Sequence, residues 1–260
     1  MNGWRNGLLM AMTAGAVTAV MMHDRIPQDP AYHRFADRRE MFGVPNCWNV
    51  ASNAPFLVAG VAGLSVLCRK GRQNFGDLYA PYFVFFSGSI LVAFGSALYH
   101  LRPDNERLTF DRLAMTIVFA AFVAIIACDH FDFRVGRRAL LSLLGVGMAS
   151  VVYWHVTELA GRGDLRPYLA AQFVPMFLIP FVLILFRSAF TTAYSWTVLA
   201  AYAAAKVFEV MDRPVYAALN VSGHTLKHLA AAASIGVMVL GATRRGSAEQ
   251  TEVQHEPTRP

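Results

Sequence analysis

Long apolar stretches recur along the whole chain and constrain its fold more than any other feature. A helix that crosses a bilayer needs about 20 mostly apolar residues, with a range of about 17–25. Eight windows meet or nearly meet that requirement: 7–22, 48–67, 78–100, 112–128, 139–158, 168–186, 190–210 and 221–241. The sequence therefore predicts an all-α, polytopic membrane helix bundle.

The composition excludes several other classes of protein. Hydrophobic residues make up 55% of the 260-residue chain and charged residues only 15%, whereas soluble domains average about 45–50% and 25%. A disordered chain and an ordinary cytosolic enzyme are both disfavoured. The net charge of +6 does not indicate a nucleic-acid partner, because the basic residues stand in short clusters between apolar runs.

These basic clusters also predict the orientation. One set of loops, expected to lie inside, carries Arg69, Lys70, Arg72, Arg134, Arg137, Arg138, Arg187, Arg244 and Arg245. The alternate loops carry fewer: Arg102, Arg107, Arg162, Arg166 and Arg213. By the positive-inside rule the C-terminus is cytoplasmic. The first window resembles a signal peptide, but no A-x-A-like cleavage site closes it, so we interpret it as an uncleaved signal anchor.

The three cysteines do not indicate a disulfide framework or a metal site. The cysteines are odd in number and widely spaced, and each lies in or beside an apolar run: Cys47, Cys68 and Cys128. This placement is typical of small core residues. Gly-rich phosphate loops and Gly-x-Ser-x-Gly elbows are absent from the sequence, so an ATPase or a serine hydrolase of that type is not supported.

Ionisable and polar side chains at the ends of the windows are the strongest functional signal. Ser96 and His100 end the third window, Asp111 precedes the fourth, and His224 and His228 begin the eighth. The predicted orientation places all five in the outer layer of the membrane. Since an ionisable group inside a span is costly, such a group is a functional-site hypothesis by default.

The spacing of these residues predicts a metal site. His224 and His228 are four residues apart and share one helix face, and His100 adds a third imidazole. Three histidines with an open fourth position are typical of catalytic zinc, which activates water near neutral pH. Asp111 would act as proton acceptor and Ser96 as a hydrogen-bond donor to the oxygen that gains charge. The alternatives are a polar core patch without metal and histidines that face water at the membrane interface.

Other polar residues have simpler interpretations. His155 fits an interfacial aromatic belt, and loop positions are expected for His23, His33, His130 and His255. Lys206, Glu209 and Lys227 are expected to form an ion-pair network between the last two windows, because a buried charge needs a partner.

Four motifs in order resemble those of alkaline ceramidases. Trp48 to Phe56 (WNVASNAPF) resembles the W-N-x-x-S-N-x-P-F opening of the first core helix in that family. Gly95 to His100 is similar to its G-S-x-x-x-H, Asp111 to Met115 to its D-x-x-x-M, and His224 to His228 to its closing H-x-x-x-H. The sequences of residues 99–105 (YHLRPDN) and 222–228 (SGHTLKH) resemble those of the bacterial ceramidase-like branch.

The resemblance implies a seven-helix zinc hydrolase core over 46–242. Residues 1–45 would form the anchor helix and an external polar segment, and 243–260 a disordered cytoplasmic tail. Zinc would be held by the three histidines, with Ser96 and Asp111 in catalytic support. The implied reaction is hydrolysis of the amide of ceramide, or of a related N-acyl lipid, to a fatty acid and a long-chain amine. Another N-acyl lipid or an ester remains an alternative substrate.

One family feature is missing from the sequence. Eukaryotic members have an acidic W-C-E-x-N stretch that binds calcium before the first core helix, but Asn46 stands in front of Cys47 here. Asp37 and Glu40 offer oxygens without the spacing of a calcium site. The resemblance therefore does not extend to calcium regulation.

Two other functions use the same histidines. A membrane receptor or transporter would use them to bind a ligand or proton without turnover, and a haem electron carrier would use two as axial ligands. Asp111 and a third histidine favour hydrolysis over haem ligation. The resemblance also implies a bacterial inner-membrane location with the site near the periplasmic face and membrane lipid as the partner.

Overall fold

The computed structural model describes residues 3–186 and 192–245, and these residues are almost entirely helical. Ten α-helices follow one another along them: α1 Gly3–Met22, α2 Cys47–Ala51, α3 Ala54–Phe75, α4 Tyr79–Leu101, α5 Asn105–His130, α6 Phe133–Leu159, α7 Arg166–Leu185, α8 Thr192–Val210, α9 Asp212–Leu219 and α10 Gly223–Arg244. The predicted all-α class is confirmed for this part of the chain.

Eight of these helices are long, and each coincides with one predicted apolar window. Within the described residues, five segments are long and apolar enough to cross a membrane: Cys47–Leu101, Asn105–His130, Phe133–Leu159, Arg166–Leu185 and Gly223–Arg244. The first of them contains α2, α3 and α4. The protein is therefore a multi-helix membrane protein, whereas the spanning of α1 and α8 and the seven-helix core stay predictions.

The helices pack mainly with their neighbours in sequence. α3 contacts α4, α4 contacts α5, and α5 contacts α6 and α7; α10 returns to lie against α3 and α8. Close approach of α3 and α4 depends on Gly63, because a Cβ there would lie 2.2 Å from the ring of Phe86. The bundle thereby brings the end of α4 next to the beginning of α10, although they are about 120 residues apart in sequence.

The first helix is peripheral. Within the described part of the chain α1 has no buried residue, and its main neighbour is α7, where the Arg5 guanidinium donates to the Leu185 carbonyl at 2.8 Å. At the other terminus α10 continues to Arg244. The rest of the tail predicted to be disordered, residues 246–260, lies outside the described residues.

Residues 23–45, here called the cap segment, close one end of the bundle. The segment is tied to several helix ends: the Leu165 amide donates to the Ile26 carbonyl at 2.8 Å, and the Ala36 amide donates to Asp212 at 2.8 Å. Arg39 reaches the Asn220 carbonyl at 2.9 Å. We call the covered end the histidine end, because His100, His224 and His228 lie there.

Candidate metal centre

Three histidines converge at the histidine end from two helices. His100 is in the last turn of α4, and His224 and His228 are in the first two turns of α10. Ser222 caps α10 by accepting from the His224 amide at 3.0 Å. Gly223 permits α10 to begin here, since a Cβ would lie 2.4 Å from the Phe208 carbonyl oxygen. The start of α10 is thus fixed against the end of α8.

The three imidazoles form a compact, buried group, here called the histidine cluster. Nε2 of His100 lies 3.3 Å from Nε2 of both His224 and His228. Their candidate ligand atoms all lie within 4.8 Å of one another, and the three residues are 0%, 5% and 3% exposed. The cluster could hold a metal ion.

Two of the three nitrogen–nitrogen separations fit a tetrahedral transition-metal ion. Two nitrogens, each about 2.0–2.1 Å from such an ion, lie about 3.3–3.4 Å apart, which matches the His100–His224 and His100–His228 separations. Nδ1 of His228 lies 2.8 Å from Ser52 Oγ, and Ser52 Oγ donates to the Asn49 carbonyl at 3.1 Å. Ser52 Oγ therefore accepts a hydrogen bond from Nδ1–H of His228, which leaves the Nε2 lone pair directed into the cluster.

The cap segment seals the cluster with an aromatic ring. Phe35, which is 4% exposed, lies 4.7 Å from the ring of His100 and 4.6 Å from that of His224, between ring centroids. Asn46, which directly follows the segment, donates to the His100 carbonyl at 2.9 Å. The cluster is thus shielded from the outside by residues that precede the first core helix.

Ser96 and Asp111 lie beside the cluster on α4 and α5. Both are buried, at 3% and 7% exposure, and both line one cavity together with His228. Gly95 lets the two helices touch, because a Cβ there would lie 2.9 Å from the Phe110 carbonyl oxygen. The structure therefore brings together all five residues that the sequence singled out.

A partly open cavity with a volume of about 110 Å³ adjoins this group. Ser96, Asp111 and His228 line its polar end, and Nε2 of His228 lies 3.3 Å from Nε2 of His100. Its remaining wall is mainly apolar and comes from α3, α4, α5, α8 and α10, with Phe56, Val92, Met115, Val118, Phe119 and Ile235 among the lining residues. A ligand in this cavity would have an apolar part and a polar end beside the histidine cluster.

The predicted ion-pair network is present at the same polar end. Glu209 accepts from Lys206 Nζ at 2.7 Å and from Lys227 Nζ at 2.8 Å. All three line the cavity, and Lys227 Nζ is 3.4 Å from Nε2 of His224. The network therefore joins α8 to α10 at the edge of the histidine cluster.

The loop position predicted for His130 is wrong. His130 is buried at the end of α5, and its Nδ1 lies 2.6 Å from the Phe186 carbonyl.

Asp37, which the sequence offered as a possible calcium ligand, is paired with Arg39, which donates to it at 2.6 and 2.9 Å. Burial raises the pKa of the Asp37 carboxyl, but the Arg39 hydrogen bonds outweigh burial and hold that pKa below its usual value.

Sequence reasoning missed the residues that support the cluster. Ser52 stands in the motif that resembles the family, yet only the turn between α2 and α3 shows that its hydroxyl reaches His228. Phe35 lies in a polar, Pro-punctuated segment with no periodicity that would place its ring. The motif around Ser52 was a usable signal, whereas the position of Phe35 required the fold.

Comparison of the chain with models of protein families, with curated proteins and with solved structures found no match in any of the three. The evidence for a function therefore comes from the residues themselves. They form a membrane helix bundle with a buried group of three histidines that could hold a metal ion.

Proposed function

We propose that this protein is a zinc-dependent intramembrane amide hydrolase, similar to alkaline ceramidases, that cleaves ceramide or a related N-acyl lipid. The observation that carries the proposal is the convergence of three buried imidazole nitrogens beside a largely apolar cavity that Ser96 and Asp111 line. The ordered motifs shared with that family support the same conclusion. The products would be a free fatty acid and a long-chain amine.

His100, His224 and His228 would hold the metal. Imidazole ligands suit zinc among several transition metals. The neighbouring Ser96 and Asp111 have the groups that hydrolysis requires, which favours zinc over a redox metal. When bound, the ion supplies Lewis-acid chemistry that activates water at neutral pH and polarises a carbonyl group. Ser52 keeps the His228 ring in the tautomer that ligation requires.

Asp111 would transfer a proton during the reaction, and Ser96 would stabilise the negative charge that develops on the carbonyl oxygen. Hydrolysis adds the oxygen of water to the carbonyl carbon and breaks the C–N bond; one proton of the water goes to the leaving nitrogen, and the other stays on the new carboxyl group until that acid ionises. The Asp111 carboxylate takes one proton from the attacking water and delivers it to the leaving nitrogen. The Ser96 hydroxyl donates to the carbonyl oxygen as negative charge develops there.

The charge distribution supports an orientation with the histidine end outside. Lys70 on α3 donates to the carbonyls of Thr243 and Arg245, and Arg245 pairs with Asp129 on α5 at 2.8 Å. The basic ends of α3 and α10 therefore meet at the end of the bundle opposite the histidines. The positive-inside rule then assigns that end, and the C-terminus, to the cytoplasm.

Metal analysis of purified, detergent-solubilised protein tests the proposal. Wild type should contain about one zinc per chain, and His224→Ala should lose both zinc and release of fatty acid from an N-acyl lipid. His130→Ala, which removes a buried histidine from the opposite end, should keep both. Metal-free wild type with an intact fold would refute the hydrolase. Stoichiometric zinc without turnover on any lipid amide or ester would favour a receptor or transporter.

A further inference from the structure

Lysine is rare in this chain and concentrated at one place. The sequence has three lysines among 23 basic residues, and two of them, Lys206 and Lys227, line the cavity. The lysine ammonium is a compact charge with three rotatable hydrogen-bond donors, whereas the arginine guanidinium is planar and holds its donors in a fixed arrangement. The use of lysine at both cavity positions, in a chain that otherwise uses arginine, points to recognition of a small charged group.

The two ammonium groups share a single carboxylate. Glu209 gives one oxygen to Lys206 and the other to Lys227. The Lys206 side chain is 33% exposed and lies near the rings of Phe173 and Tyr202, 5.2 and 5.9 Å from their centroids. Since an ammonium has three donors, Lys206 keeps hydrogen-bonding capacity for a ligand at the cavity wall.

The charges at this end do not balance once a metal is bound. Among the charged side chains that line the cavity, the two lysines offset Glu209 and Asp111, so a divalent ion on three neutral imidazoles would add a net double positive charge to this lining. Uncompensated charge within a membrane is costly and calls for a partner. A neutral sphingoid lipid supplies none, whereas a ligand with an anionic group does.

The shape of the cavity decides which half of the ligand meets the lysines. From Lys227 to Ile235, α10 lines the cavity for about 12 Å at about 1.5 Å per residue, and the far part of the lining is mainly apolar, with Ser89 and Ser234 as its polar members. That part suits an acyl chain. The amine half of an N-acyl lipid must then lie at the polar end, next to Lys206.

We infer that the preferred substrates are N-acyl lipids whose amine half carries an anionic group, such as the carboxylate of an N-acyl amino acid. Lys206 would pair directly with that group. The inference rests on the proposed function and narrows it, because ceramide itself would be a poor substrate. It names Lys206 as a residue that determines specificity.

Hydrolysis of two matched amides provides the first test. N-decanoylglycine and N-decanoylethanolamine share the acyl chain and differ in a carboxylate against a hydroxymethyl group. We expect kcat/KM of the wild type to favour the acid by about tenfold, since charge-assisted hydrogen bonds are the strong ones. Lys206→Met should abolish the preference, Lys206→Arg should keep most of it, and Lys70→Met, which removes the third lysine, should match wild type.

Binding without turnover separates this inference from the hydrolase. Affinities of the two amides are measured in zinc-loaded Asp111→Asn protein, with and without Lys206→Met. Equal affinities in the parent would overturn the inference even if wild type hydrolyses both amides. A preference for the acid that depends on Lys206 would support the anion site even if wild type hydrolyses neither. If Lys206→Met weakens only inhibition by free decanoate, the lysine recognises the product and the inference is wrong.

Discussion

The two ends of the helix bundle differ in what their polar contacts surround. At the histidine end, side-chain hydrogen bonds and ion pairs link the cap segment, α2, α8 and α10. At the opposite end the contacts include ring packing, such as Phe75 on Tyr82 and Phe131 on Phe186, at centroid distances of 5.3 and 4.6 Å. Asp129 and Arg245 add an ion pair there.

This contrast shows what each end contributes. Apolar packing is sufficient to join helices in lipid, whereas buried polar groups are costly there and are retained where they act. The polar network places imidazoles, a carboxylate and a hydroxyl around one cavity. We therefore expect substitutions at the histidine end to change metal binding and activity, and those at the opposite end to change mainly stability.

Among substitutions that leave the metal in place, the largest effect is expected at Asp111. Asp111→Asn removes the proposed proton acceptor and should lower the rate of amide hydrolysis by about 10²–10⁴-fold, while zinc content stays near wild type because the carboxylate is not a proposed ligand. Asp129→Asn is the matched control, since it removes an acid from the opposite end of the same helix. Comparable losses of rate in both variants would show that catalysis does not depend on the histidine end more than on the opposite end.

Phe35 tests whether the cap segment supports the cluster. Phe35→Ala removes a buried ring and should lower the free energy of unfolding by about 3 kcal/mol, as measured by thermal denaturation in detergent. Phe42→Ala is a control in the same segment, because Phe42 is 94% exposed and should leave stability unchanged. Equal melting temperatures for the two variants would show that the segment does not pack on the histidines in solution.

The sequence was sufficient to predict the long helices of the described residues and the three histidines that converge there. Apolar length marked every long helix, and the positions of His100 and His224 at the ends of their windows predicted a shared layer. Periodicity could not predict which side chains touch. The 3.3 Å separation of their nitrogens depends on how α10 packs between α3 and α8.

The loop residues that contact the histidine cluster could not be predicted from the sequence. The role of Ser52 depends on the turn between two helices, and that of Phe35 on a segment without regular structure. Charge pairing was easier, because Lys206, Glu209 and Lys227 share one polar helix layer and each needs a partner. Local patterns therefore predicted what each helix presents, and only the fold showed which groups meet.

A smaller effect is expected from the hydrogen bond that orients His228. Ser52→Ala removes the acceptor for Nδ1 and should weaken zinc affinity by about 10–100-fold, as is typical when a ligating imidazole loses its orienting partner. Competition with a chelator measures the change. Ser65→Ala is the control, because Ser65 bonds only to the Val61 carbonyl of its own helix at 2.8 Å in the described structure. Unchanged affinity in Ser52→Ala would show that the ring is oriented by packing alone.

The smallest effect is expected from the loop that joins α6 to α7 at the histidine end. Arg166 hydrogen-bonds Asp164 at 2.8 and 2.9 Å and holds the pKa of that carboxyl below its usual value. A lowered pKa contributes stability above about pH 4, the unfolded value, and that contribution is lost as pH falls through the folded value. Asp164→Asn should therefore flatten the decline of melting temperature below about pH 4, whereas Arg162→Gln should not. An unchanged decline in Asp164→Asn would mean that the pair adds no stability, and the polar contacts of this end would then serve the site alone.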